Sequence, residues 1–76
     1  MTKIEKIKNQ ILSTIKTSIP LNARKFRVIT DRPLSDIPDI MRALRQLHSD
    51  GVIVGKREGV HFQGEYTWGY HYQLSQ

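Results

Sequence analysis

Basic side chains dominate the chemistry available to this chain, and they are clustered. Between residues 16 and 32 stand Lys16, Arg24, Lys25, Arg27 and Arg32 against one acid, Asp31, a local charge of +4. Between residues 33 and 50, Arg42 and Arg45 face Asp36, Asp39 and Asp50, a local −1. Guanidinium and ammonium groups hold phosphate oxygens, and such contacts position a protein without reading sequence. The whole chain carries 12 basic and 7 acidic residues, a net +5, with a pI near 9.9. A pI above about 9 in a small domain is a footprint of nucleic-acid binding. Solubility alone tolerates a net charge of about 2 to 8, so the patchiness is the more telling observation.

Catalytic and metal chemistry find little support. His48, His61 and His71 show no HExxH spacing. The chain has no phosphate-cradling glycine loop, no nucleophile elbow and no evident catalytic dyad. Cysteine is absent, which excludes disulfides and thiolate metal sites. The expectation is a protein that is not an enzyme and holds no metal or cofactor. No apolar run approaches the roughly 20 residues of a membrane span, and MTKIEKIKNQ has no signal-peptide core. A cytoplasmic location is expected.

The elements that position these side chains fit one domain over residues 1–76. Ile4, Ile7, Ile11 and Ile15 recur at helical spacing and predict a helix over 3–18. Thr2 and Glu5 can form a capping box at its start, and Pro20 stops it. Residues 22–29 favour a short helix capped by Asn22, with a short strand near 27–30 as the alternative. Pro33 marks a turn. A second long helix is expected over 36–50, burying Ile37, Ile40, Leu44 and Leu47 and ending at Gly51.

Past Gly51 the apolar period changes from helical to alternating. Strands are expected at 52–57 and 67–74, joined by a long tip containing Gly59 and Gly64. A short extra strand at 60–63 is the alternative. Trp68, Tyr70, Tyr72 and Leu74 share one face of the second strand. Together with Tyr66, these rings can either stack on single-stranded bases or cover the core. Tyr70 and Tyr72 are expected in the core, with Trp68 and Phe62 between core and surface.

The order is helix, short helix, turn, helix, strand, loop, strand. With IPDIMRALRQLHSDGVI at 37–53 and the terminal YHYQL, it resembles the winged helix-turn-helix family of DNA-binding domains. Ile40, Leu44, Leu47, Gly51 and Val52-Ile53 resemble that family's third helix running into its wing. ILSTIKTSIPLNARKFRVI resembles its first two helices. The resemblance implies an α+β fold of three helices followed by a β-hairpin wing.

It also implies a sequence-specific binder of double-stranded DNA, a small transcriptional regulator of the kind found in phages, plasmids or archaeal viruses. By position, the exposed face of helix 36–50 implies Asp39, Arg42, Arg45 and Gln46 as base readers. Arginine pairs with guanine, glutamine with adenine, and aspartate accepts from cytosine. Arg24, Lys25, Arg27, Arg32, Ser49, Lys56 and Arg57 are the expected backbone contacts, and His61 and Gln63 stand at the wing tip. A homodimer on paired half-sites is a further expectation. The alternative is a winged helix used as a protein-interaction module, anchored by Phe62 and Trp68.

Overall fold

The computed structural model describes residues 1–75. The first helix, α1 (Lys3–Thr14), starts where the Thr2 hydroxyl accepts from the Glu5 amide at 3.2 Å. That hydroxyl donates in turn to the Glu5 carboxylate, so the glutamate closes the cap on the threonine side chain. Ile7 and Ile11 are buried on the inner face. The predicted end at residue 18 is tightened into a 3₁₀ turn, Ile15–Thr17, which still buries Ile15. Ser18 then takes a left-handed conformation, with φ of 57°, and redirects the chain before Pro20.

The second helix, α2 (Ala23–Ile29), is capped by Asn22, whose side-chain oxygen accepts from the Lys25 amide at 2.8 Å. Phe26 fills the core, while Val28 and Ile29 are exposed. The strand alternative at 27–30 is therefore not adopted. A strand would leave the helical bonds from Asn22 to Thr30 unmade, including Phe26 N–H to Asn22 C=O at 2.9 Å.

A 3₁₀ turn, Leu34–Asp36, leads into the third helix, α3 (Ile37–Ser49). Ile40, Ala43 and Leu47 are buried, and the expected core residues Ile37 and Leu44 are only half-buried at the edge of that stripe. Ala43 belongs to the core because a small side chain there lets α3 lie close to α1. The helix closes in a Schellman turn: Val52 N–H donates to Leu47 C=O at 2.9 Å and Gly51 N–H to His48 C=O at 3.1 Å. Gly51 sits at φ of 74°, where a side chain is strained.

The hairpin differs from its prediction. Its strands are β1 (Ile53–Phe62) and β2 (Glu65–Leu74), antiparallel in register from Ile53–Leu74 to Phe62–Glu65. The long tip is replaced by the two residues Gln63 and Gly64, both at positive φ (51° and 77°), as a type I′ turn requires. Gly59 reads as turn-forming in sequence but lies within β1, opposite Trp68. Its missing Cβ leaves the space that the Tyr66 ring and hydroxyl occupy.

The hairpin is fastened at one further rung. Leu21, between α1 and α2, pairs with Tyr70 through Leu21 N–H to Tyr70 C=O (2.9 Å) and Tyr70 N–H to Leu21 C=O (2.8 Å). This rung had no signal in the sequence. It makes β2 the inner strand and β1 the outer one. Ile7, Ile11, Ile15, Leu21, Phe26, Ile40, Ala43, Leu47, Ile53 and Tyr72 form one core. The layout is α+β, three helices followed by a hairpin, consistent with a winged helix. No helix among the described residues is long and apolar enough to cross a membrane.

Candidate nucleic-acid interface

The core-facing stripe of α3 fixes which of its side chains look outward. Arg42, Arg45, Gln46 and Ser49 are exposed. The ion pairs among the described residues involve none of them. Their polar atoms therefore remain available to an outside ligand.

The other residue expected on that face behaves differently. Asp39 is half-buried, and its carboxylate lies 3.3 Å from the Lys3 ammonium. Lys3 also pairs with Asp36, and Arg32 pairs with Asp36 as well, so two cations balance the two acids at the start of α3. This answers the acidic character of that helix end: the two carboxylates are balanced within the fold and are not left facing a polyanion. It also withdraws Asp39 from the expected role of accepting from a base.

Arg32 is likewise withdrawn. Its Nε donates to Gln10 Oε1 at 2.7 Å and its Nη1 to Asp36 Oδ2 at 3.0 Å, with only 16% of the side chain exposed. A guanidinium committed to two partners inside the domain ties α1 to the entry of α3. It is not the free phosphate contact that its position in a basic run suggests. The Asp36 carboxyl, 5% exposed, is held below the usual carboxylate range, first by the hydrogen bond from Lys3, against burial, and then by Arg32. The Lys3 ammonium is raised above its ordinary value by the same bond to Asp36 and then by Asp39.

The remaining expected backbone contacts fall into two groups. Arg24 lies 3.1 Å from Glu65 at the hairpin tip, and Arg57 lies over the Trp68 ring, 4.7 Å from its centroid. Arg27 donates to Arg32 C=O at 3.3 Å, while its buried Nε has no partner. Lys25 is half-buried and Lys56 exposed, and neither takes part in an ion pair among the described residues. At the wing tip His61 and Gln63 are both exposed, with the His61 ring edge-on to Tyr66 at 4.4 Å.

Register assigns the hairpin's faces, because paired residues share one. Tyr66, Trp68, Tyr70 and Tyr72 line one face, opposite His61, Gly59, Arg57 and Gly55. Tyr72 at the base is in the core, and burial pushes its hydroxyl up to about 12, with the neighbouring Tyr70 adding to the shift. Tyr70, expected in the core, is 45% exposed; Trp68 is 56% exposed and Phe62 half-buried. The physical reason is the Leu21 rung. It docks β2 by its backbone, so Tyr70 need not turn its ring inward to hold the strand.

Between this face and α3 lies a groove of about 800 Å³. Ile37, Met41, Leu44, Arg45 and His48 form one wall, and Trp68, Tyr70 and Tyr72 the other. Asn22, Ala23 and Arg24 close the end. Met41 carries no signal of its own in the sequence, and His48 is weighed there only against a metal-binding spacing; helical spacing from Arg45 is what places both on the groove.

No family model matches the chain, and no curated protein or solved structure resembles it at a significant level. The functional reading therefore rests on fold and surface chemistry.

Proposed function

We propose that the domain binds double-stranded DNA as a small transcriptional regulator, inserting α3 into the major groove with the hairpin beside it on the adjacent backbone or minor groove. One observation carries this reading: Arg42, Arg45 and Gln46 project together from α3 with no ion-pair partner among the described residues. The major groove, about 12 Å wide, admits one helix, and these side-chain types match guanine and adenine edges. Lys25, Lys56 and Arg57 supply the flanking positive charge. A protein-interaction module is the second reading, favoured by the 56% exposure of Trp68.

Salt separates the two. Contacts to several phosphates weaken steeply as salt rises, whereas an aromatic-anchored protein contact weakens far less. The test is fluorescence anisotropy of labelled duplex over a salt series, for the unaltered protein and for Arg42→Ala/Gln46→Ala. Micromolar binding with a steep salt slope, weakened in the variant, supports the duplex reading. No binding at low salt ends it.

A further inference from the structure

The groove between α3 and the hairpin has a composition that the duplex reading does not use. Its wall of Trp68, Tyr70 and Tyr72 is aromatic and mostly apolar, its lining includes Arg24, Arg45 and His48, and no Asp or Glu lines it. An anionic occupant with planar, apolar parts suits it. A second copy of this chain does not, because each copy carries +5 and the rim would meet like charge.

The strand repeat also suits bases. Alternate residues on one strand face stand about 6.8 Å apart, twice the roughly 3.4 Å step between stacked bases in one strand. Ring contacts join Tyr66 to Trp68 at 6.1 Å and Tyr70 to Tyr72 at 5.7 Å. A base entering between Trp68 and Tyr70 breaks neither pair, and the exposed Arg57 guanidinium that lies over the Trp68 ring gives way to it. The groove volume of about 800 Å³ lies within the about 300–1,000 Å³ range of clefts that bury a drug-sized ligand.

We propose that this groove binds single-stranded nucleic acid, with an unpaired base stacked between Trp68 and Tyr70 and its flanking phosphates on Arg24 and Arg45. The Arg24–Glu65 pair is no obstacle, since both side chains are mostly exposed (61% and 58%) and such pairs exchange easily for a phosphate. The site uses the aromatic wall, where the duplex reading uses Arg42 and Gln46; only Arg45 is common to both.

Trp68 is the only tryptophan, so its fluorescence reports on this wall directly. The unaltered protein is titrated with a short oligothymidylate and with an abasic oligomer of equal length and charge. Oligothymidylate is expected to quench Trp68 and to bind at least about fivefold tighter than the abasic strand, since one stacked base contributes roughly 5- to 150-fold. Tyr70→Leu is expected to abolish that preference, and Arg42→Ala/Gln46→Ala to leave it intact. Equal affinity for the two oligomers overturns the proposal, and this comparison needs no variant to fold. So does a preference that survives Tyr70→Leu, or a Trp68 response to an acidic amphipathic peptide and not to oligothymidylate. Loss of duplex binding with quenching retained sinks the duplex reading alone and upholds this one.

Discussion

Gly69→Ala tests how the hairpin is held to the helices. A Cβ at residue 69 falls inside van der Waals contact of the Leu21 carbonyl oxygen and lies 2.6 Å from Val60 Cγ2. The first obstacle is backbone and the second a fully buried side chain, so neither can swing away. Crowding of this kind costs about 1–3 kcal/mol. If Leu21 retreats instead, the two hydrogen bonds to Tyr70 are lost, each with a net contribution of about 1 kcal/mol. By either route the expected loss is about 2 kcal/mol, a large part of the roughly 5–15 kcal/mol that holds a domain folded. It should lower the Tm by about 8–16 °C at 4–8 °C per kcal/mol. Gly59→Ala is the matched control. There the obstructing atoms belong to Tyr66, which is 60% exposed and free to rotate outward, so the cost should stay below about 1 kcal/mol. Urea unfolding followed by far-ultraviolet circular dichroism gives both numbers. Equal losses in the two variants, or a loss under about 0.5 kcal/mol for Gly69→Ala, would refute the claim that the Leu21 rung fastens the wing.

Four further outcomes follow from the geometry. Gly64→Ala should cost about 1–2 kcal/mol in the same urea assay, because residue 64 sits at φ of 77°. Asn22→Ala should cost about 1 kcal/mol by removing the cap on α2, and the amide of Lys25 should exchange faster with solvent. The Tyr72 hydroxyl is raised to about 12 from near 10 in an unfolded chain, so its contribution is present below pH 10 and is lost as pH climbs towards 12. Tyr72→Phe should flatten that alkaline loss of stability, leaving the smaller part due to Lys3, whose raised value acts in the same direction. Asp36 is lowered, so its contribution is present above its ordinary value of 3.8 and is lost as pH falls through the depressed one. Asp36→Asn should make stability less sensitive to acid in denaturation scans.

The helices were legible because their signals are local. Isoleucines at 4, 7, 11 and 15 declare one face of α1, and Asn22 declares the start of α2 without reference to anything distant. The hairpin's existence and the residues that share its aromatic face followed from alternation. Its length did not, because Gly59 carries the same one-letter signal whether it turns a chain or makes room for a tyrosine. The Leu21–Tyr70 rung is one residue long on its short side, and a single rung has no period to detect. The site suffered in the same way. Arg32 and Arg42 look alike in sequence, but Gln10 and Asp36 converge on the first through contacts that only the fold creates. Lys3 reaches Asp36 and Asp39 from more than thirty positions away, so the neutralised helix entry could not be read from charge counts along the chain.

The placement of β1 as the outer strand bears on how the protein behaves when concentrated. Its free edge is a row of backbone donors and acceptors that another chain can pair with. Lys56, Arg57 and Glu58 stand in succession at the middle of that strand, where an incoming strand would have to align its own groups. A neighbour docking there would strip water from all three charges, and a parallel partner in the same register would also set like charges side by side. The three charges thus act as a guard against edge-to-edge assembly, separate from any role in ligand binding. Replacing them with threonine or valine should leave the monomer folded and yet turn a clear solution turbid.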